Sequence, residues 1–521
     1  MENKAYEGGP RRLISRASVA GAGTVYQQGI SFVSGLIVAR VIGAADYGIF
    51  NLARNLLDVT GIVTRLGLEI GLQRYFGETN AVRDRAARVV VLRRVRLLAS
   101  LFALLPLVVV ASGLGRILEA NVYPYAHFAD ILLCLALALP FLTDVAVLGG
   151  AYRGILKLPP AILTECVLLP TIRLAAIVIL FVAGWRLWAV VVGTTLGSIL
   201  ASIFLALRAR EDFKGSPSAQ SHPWVDAVRV IGYSSVLAAA VLVNTLTSSM
   251  DILMLGRFTT AQDLGEYSLV KMLLTMMSVF GIAFGQGLGA LVAERYFRGD
   301  LGGMVKVMSL SARWVTLGTL PIFAIFFFWG APLTRVFGPS FAVSQTVVSW
   351  LAISQFVFMV FGPSGWALSM TGKHFLELKI LSAGLVIATL LCWVAVPAFG
   401  QLGAAVATCI SMAIANLARV LFVRQSIGAF PFGSDVFVLT VVGMALAWGS
   451  DVVVAQLGFS SVTHAIFGIA CFLLAYGVVG WARLLSESEK SGIQQAVRTT
   501  AQTLFSRGNQ VLVWARTGRI R

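Results

Sequence analysis

Charge is what this sequence has least of. Only 12% of its 521 residues are Asp, Glu, Lys or Arg, against roughly 25% in soluble globular proteins. So little charge excludes a water-facing surface. Cysteine is scarce as well: Cys134, Cys166, Cys392, Cys409 and Cys471 all lie in apolar stretches. There a thiol behaves as a small hydrophobe, which excludes a disulfide framework and a metal site. His127, His222, His374 and His464 are scattered near loops without metal-ligand spacing. No G-x-x-x-x-G-K-[ST] loop occurs, because Gly372-Lys373 lacks the upstream glycine; this excludes ATP hydrolysis by a P-loop. No outward loop is long enough for a catalytic domain, so the chain reads as a transporter and not an enzyme, with no cofactor. No cleavable leader is expected, since Met1 to Ser18 is polar and carries Lys4, Arg11, Arg12 and Arg16.

What is present is apolar. Hydrophobic residues make up 58% of the chain and its mean hydropathy is +0.84, enough for many spans of about 20 apolar residues. The reading is an all-α integral membrane protein of about fourteen transmembrane helices. Residues 1–17 form an N-terminal segment, 18–207 six spans, 208–229 a Gly/Ser/Pro linker, 230–423 six more spans, 424–483 two further spans, and 484–521 a basic tail. The tail reads equally as an interfacial helix or a disordered basic segment. Lys and Arg gather on one set of loops, including Arg83, Arg85, Arg88, Arg93, Arg94 and Arg96, while the opposite set holds Arg40, Arg116, Arg186, Arg257 and Arg335. By the positive-inside rule both termini are cytoplasmic. The net charge of +17 is this topology signal, and no nucleic-acid partner is implied.

An internal repeat organises the spans. Leu36–Leu57 and Leu253–Leu274 align at a constant offset: Arg40 with Arg257, Asp46 with Asp263, Gly48 with Gly265, Phe50 with Tyr267, and Arg54 with Lys271. Each segment then runs to an Arg-Tyr-Phe tripeptide, at 74–76 and at 295–297. Two six-span halves of one orientation are related by an axis along the membrane normal, with a cavity between them. Arg40, Asp46, Arg257 and Asp263 mark the mated outer loops as a candidate external gate.

Ionised residues inside spans are costly, at about 2.5–3.5 kcal/mol each on insertion scales, so they face a cavity or a partner. The second span, Tyr47–Gln73, read as one helix, puts Arg54, Asp58, Arg65 and Glu69 on one face. Arg54 with Asp58 and Arg65 with Glu69 have the spacing of intrahelical pairs. The stripe is either a hydrated cavity wall or two self-neutralised pairs. Lys271 has no acidic neighbour at Thr275, which leaves its charge free for a ligand. Arg173 in the fifth span has Glu165 two turns away as a possible partner. Gln27 and Gln28 with Ser31 and Ser34 in the first span, and Asn244 with Asp251 in the seventh, either bind sugar hydroxyls or join helices. Asp58, Glu69, Asp144, Glu165 and Asp251 are candidate carboxylates for H+ or Na+ coupling, with a structural role as the alternative.

The residues Ala39-Arg40-Val41-Ile42-Gly43 and Tyr47-Gly48-Ile49-Phe50-Asn51, the ending Gly67-Leu68 with Arg74-Tyr75-Phe76, and the stretch from Gly372-Lys373 to Phe399-Gly400-Gln401-Leu402-Gly403 resemble bacterial oligosaccharide flippases. These are the O-antigen and exopolysaccharide exporters of the multidrug/oligosaccharidyl-lipid/polysaccharide superfamily. The resemblance implies two six-helix lobes around a V-shaped cavity, two extra C-terminal helices, alternating access, and a polyprenyl-pyrophosphate-linked oligosaccharide as substrate. It implies the bacterial inner membrane, with membrane lipids and the polysaccharide polymerase and glycosyltransferase machinery as partners. It also implies a cationic cavity for the pyrophosphate, which Arg54, Arg65, Arg173 and Lys271 can supply. Rival readings are a cation-coupled drug exporter, a lipid II flippase, and, from another class, a membrane-embedded polymerase or ligase or a synthase scaffold.

Overall fold

The computed structural model describes residues 9–82, 85–213 and 223–484, with residues 487, 490 and 491. Among them there is no strand. The first lobe runs through α1 (Gly9–Ile42), α2 (Ala44–Arg65), α3 (Leu68–Val82), α4 (Arg85–Val109), α5 (Gly115–Asn121), α6 (Phe128–Ala136), α7 (Leu139–Gly154), α8 (Leu158–Ile162), α9 (Leu169–Val182) and α10 (Arg186–Asp212). The second contains α11 (Pro223–Phe258), α12 (Ala261–Leu274), α13 (Ser278–Phe297), α14 (Leu301–Arg335), α15 (Gln345–Met370) and α16 (His374–Ile427). Helix thus occupies both ends of the expected 208–229 linker; residues 214–222 lie outside the described residues, as does most of the expected basic tail.

Eleven stretches among the described residues are long and apolar enough to cross a membrane. The remaining crossings of the expected fourteen are folded or broken helices, for physical reasons. The 54 residues of α16 would reach about 80 Å if straight, far beyond a hydrocarbon core of about 30 Å. Gly400, at φ 54° and ψ −129°, breaks it, and Gly403 backs onto Ala395 and Val396, so the chain reverses into two spans. The other two crossings are broken helices: α2–α3, and α12–α13 with a 3₁₀ turn at Thr275–Met277.

The break in the second span corrects the single helix expected there. Leu66 takes φ 49° and ψ 24° and Gly67 φ 66°, a left-handed step that ends α2 and restarts the chain as α3. Short local signals set other boundaries. Thr260 and Asp263 form a reciprocal capping box at the start of α12, and Asp300 accepts the Gly303 N–H at 2.8 Å to begin α14. Wide π turns interrupt the third span at Val110–Leu114 and the fifth at Leu163–Leu168.

Two apolar clusters pack the lobes, the first also taking in Val230 of α11. Leu72, Phe76, Leu148, Tyr152 and Leu205 lie at the middle of the first; Val292, Met304, Met308 and Leu368 belong to the second. The lobes meet backbone to backbone through glycine. A β-carbon on Gly48 would overlap the Ala261 carbonyl, and one on Gly265 would overlap that of Ala44. These two glycines are repeat-mates, and an axis relating the lobes brings mates together in this way. Tyr47 seals the same end edge-on to Phe341, with ring centroids 6.3 Å apart. Beyond the break in the second span a second contact forms: a β-carbon on Gly67 would stand 2.7 Å from the Ser234 carbonyl oxygen, and Gly71 faces Ser234 and Val230.

The last two helices, α17 (Asp435–Ala455) and α18 (Ser461–Val479), belong to a separate compact unit that begins at Ser434. His464 Nε2 and Asp451 Oδ1, 3.3 Å apart, join them.

Candidate functional site

A cavity of about 220 Å³ lies against the first lobe. Its polar wall comes from Gln28, Ser31 and Ser34 on α1, Asn51 and Arg54 on α2, Arg173 on α9 and Thr194 on α10. The second lobe contributes Met272 and Thr275. Among the described residues the lining contains two arginines and no carboxylate, Asp58 lying outside it at 3.9 Å from the Arg54 Nε.

Local packing explains how a guanidinium is held there. On α10, Gly193 and Gly197 are one turn apart and receive Ile177 and Arg173 of α9, themselves one turn apart; a β-carbon on Gly197 would stand 2.9 Å from the Arg173 Cα. The absent side chains let the helix backbones approach closely. Arg173 Nε and Thr194 Oγ1 are both buried and make no hydrogen bond among the described residues. Leaving buried polar atoms unpaired costs about 1–3 kcal/mol each, more when charged. The charges of both Arg54 and Asp58 reach Arg173, so the repulsion between the two arginines is partly offset by a carboxylate. Arg54 is weakly held: its Nε is 3.9 Å from Asp58, and both side chains are about half exposed, at 45% and 53%. Asn51 donates to the Tyr47 carbonyl at 2.7 Å, which leaves its side-chain oxygen as an acceptor.

The other predicted site residues are placed differently. Lys271 is not free: its Nζ donates to Asp251 Oδ1 and Oδ2 at 2.8 and 2.9 Å and to the Ser248 carbonyl at 2.7 Å. The partner comes from α11, so the neighbour at Thr275 was irrelevant. The expected Arg65–Glu69 pair does not form, because the left-handed step at Leu66–Gly67 destroys the i,i+4 geometry. Arg65 instead donates to the Gly61 carbonyl at 3.0 Å, and Glu69 Oε2 is buried without a hydrogen bond. Glu165 does not partner Arg173: within the π turn it accepts from Arg153 of α7 at 2.7 Å. Asp144 is not a lone carboxylate either, since Arg96 binds it bidentately at 2.7 and 3.0 Å and Ser202 donates at 2.9 Å.

Gln27 is outside the cavity lining, and Asn244 is exposed and outside it as well. Of the loop residues, Arg40 is exposed and Asp46 lies in the first turn of α2. Arg257 approaches the Val122 carbonyl at 3.5 Å, and Asp263 accepts from Gln401 at 3.0 Å besides capping α12. Sequence reasoning passed over Thr194 and the site role of Asn51. It also missed the buried pair of Arg419 with Glu377, whose closest approach is 2.7 Å. An arginine inside the twelfth span was the available signal for that pair.

Extending the repeat offset by two residues pairs Ser34 with Asp251. The first lobe therefore carries Ser34, Phe50 and Arg54 where the second carries Asp251, Tyr267 and Lys271. All three first-lobe residues line the cavity. Their mates bond to one another, with the Tyr267 hydroxyl donating to Asp251 Oδ2 at 2.8 Å.

The family described as "Polysaccharide biosynthesis protein" matches residues 14–288. The chain is 22% identical over 459 residues to the probable low-salt glycan biosynthesis flippase Agl15 of Haloferax volcanii, covering 87% of this chain and 93% of that one. Its fold is similar to the lipid II flippase MurJ in an inward closed conformation, with a TM-score of 0.70, 12% identity, and coverage of 90% and 99% of the two chains. It is also similar to a multidrug resistance MATE family transporter of the MOP superfamily in an inward-facing conformation, with a TM-score of 0.59, 15% identity, and coverage of 80% and 98%.

Proposed function

Because the chain belongs to the polysaccharide biosynthesis protein family, we propose that it is a flippase for a polyprenyl-pyrophosphate-linked oligosaccharide repeat unit. It moves the unit from the inner to the outer leaflet of a bacterial inner membrane, for surface polysaccharide synthesis. The observation that carries this reading is the acid-free cavity, with Arg54 and the unpaired Nε of Arg173 on its wall. Charge-assisted hydrogen bonds to phosphate are among the strongest available to a side chain. In a low-dielectric cavity they are stronger than in water. Gln28, Ser31, Ser34, Asn51 and Thr194 surround the cations with the neutral donors and acceptors that sugar hydroxyls require. A drug exporter for organic cations needs the opposite charge on this wall.

In this reading the basic loops and both termini are cytoplasmic, and the polyprenyl tail stays in lipid while the headgroup enters the cavity. Alternating access opens first one and then the other glycine contact between the lobes. Asp58, 3.9 Å from Arg54, and Glu69, buried beyond the break in the same span, are the candidates for coupling to H+ or Na+. Polysaccharide polymerase acts on the delivered unit.

The test is complementation of a deletion strain by Arg54→Glu and Arg173→Gln, with membrane abundance, surface glycan and lipid-linked intermediates measured together. At normal abundance, both variants are expected to lose surface glycan and accumulate the intermediate. Chemical identification of that intermediate separates an oligosaccharide unit from lipid II. Full activity in both variants would remove the cavity from the mechanism.

A further inference from the structure

At the Gly48 end, two loops reach from one lobe to the other. They are mates in the repeat, one residue short of its main offset, with Tyr125 corresponding to Phe341. Each lands where the first two helices of the opposite lobe join. Tyr125, buried, reaches the junction of α11 with α12. Its hydroxyl lies 2.8 Å from the carbonyl oxygens of both Gly256 and Thr259 and shares its single proton between them. The last carbonyls of a helix lack intrahelical donors, so an outside donor is valuable there. Arg257 reaches back to the Val122 carbonyl at 3.5 Å. Phe341 reaches the junction of α1 with α2, where it meets the Tyr47 ring edge-on and its neighbour Ser340 faces Gly43.

The arms are built alike up to their tips. A helix break precedes each at the same spacing: Gly113, at φ 118° and ψ −8°, and Trp329, at φ −124° and ψ 19°. Each arm is fixed to its own lobe. Glu119 accepts the Ala129 N–H at 2.7 Å and Tyr123 packs on Phe128, while the Thr334 hydroxyl and the Ala342 N–H, each at 3.4 Å, hold the Phe341 arm. The tips differ by one hydroxyl. A ring edge slides over another ring at little cost, but a hydrogen bond is directional and breaks when its partners part. We propose that Tyr125 is a one-sided lock on this end of the molecule: its hydroxyl ties the first lobe to the second, and the Phe341 arm is a seal without a lock. With the cavity empty, the lock biases the lobes toward the state seen here. It takes from the proposed function only that the lobes part in turn, and it acts whichever cargo the cavity accepts.

The experiment uses the full-length chain, purified in detergent without cargo. Ala44→Cys places a thiol at a buried position in the contact with Gly265. A maleimide reaches it only when this end parts, so its labelling rate, above that of the parent without the added cysteine, follows the open population. Tyr125→Phe makes the two arms alike and keeps the ring. It is expected to speed labelling roughly fivefold, the equivalent of one neutral hydrogen bond. Tyr123→Phe removes the neighbouring hydroxyl and is expected to leave the rate at that of the Ala44→Cys protein.

An unchanged rate in Tyr125→Phe would overturn the proposal, because the lobes would then part without regard to the bond. Equal acceleration by both substitutions would overturn it as well, since any loosening of the arm would then suffice. So would immediate labelling of the Ala44→Cys protein itself, which would mean that this end stands open with the bond intact. No ligand enters the measurement, so its failure is distinct from failure of the cavity to bind an anion.

Discussion

In the first lobe Ser34, Phe50 and Arg54 stand apart on the wall of a cavity, whereas in the second their mates Asp251, Tyr267 and Lys271 close on one another. The backbone framework is shared, and two side-chain differences decide the outcome. Aspartate in place of serine supplies a counter-ion, and tyrosine in place of phenylalanine supplies a donor that steadies it. A cation buried in a membrane protein must find an anion. The second lobe provides one at hydrogen-bond distance; in the first, Asp58 stands 3.9 Å from Arg54, and in the proposed function an anionic ligand fills the rest of the place. The lesson is that a basic residue in a span is informative only together with what its neighbours on other helices offer.

The comparison can be broken most severely at Asp251. Asp251→Ala strands Lys271, and removing one partner of a buried pair costs about 3–5 kcal/mol. Partial exposure of Lys271 puts the expectation at the lower end of that range. Membrane abundance and the unfolding midpoint should both fall, and an unchanged midpoint would show that the pair contributes little.

Transferring the counter-ion to the first lobe is the next largest change. Ser34→Asp should draw Arg54 into an internal pair and weaken anion binding roughly 10- to 100-fold, the equivalent of one charge-assisted hydrogen bond. Titration with a polyprenyl pyrophosphate checks this, and an affinity equal to wild type would show that Arg54 does not bind the headgroup.

Where the lobes are alike, at Gly48 and Gly265, a symmetric outcome is expected. Gly48→Ala and Gly265→Ala each force a methyl against backbone, an overpacking cost of about 1–3 kcal/mol. Both should shift the population toward the state in which this end is open. The readout is faster labelling of a cysteine placed at Ser31 by a membrane-impermeant maleimide; unchanged labelling in both would mean that the helices separate without cost.

Tyr267→Phe, which installs the first-lobe residue, should have the smallest effect, about 1 kcal/mol for one lost hydrogen bond. Its midpoint should fall by a few degrees with transport retained.

Much of the fold was legible in the sequence because burial in lipid writes long apolar runs, and the repeat showed in its mated polar residues. Arg54, Arg173 and Gln28 were identifiable as cavity residues because charge and amides are rare in spans. Three things were hidden. The break at Leu66–Gly67 was masked by Arg65 and Glu69, whose i,i+4 spacing imitates a pair on an unbroken helix. The partners of Lys271, Asp144 and Glu165 sit on other helices, 20, 48 and 12 residues away, and spacing along one helix cannot reveal contacts between helices. The tripeptides ending the repeat looked equivalent, yet Phe76 is fully buried and Phe297 is 77% exposed. A sequence match does not carry burial when the packing around the two copies differs.

The most direct test of the central claim is equilibrium binding of a short polyprenyl pyrophosphate to purified wild type, Arg173→Gln and the Arg54→Gln/Arg173→Gln double variant, at low and high salt. The account predicts salt-sensitive binding to the wild type, a loss of roughly tenfold or more for Arg173→Gln, and no measurable binding to the double variant. Equal affinity in all three proteins would contradict it and place the headgroup outside this cavity.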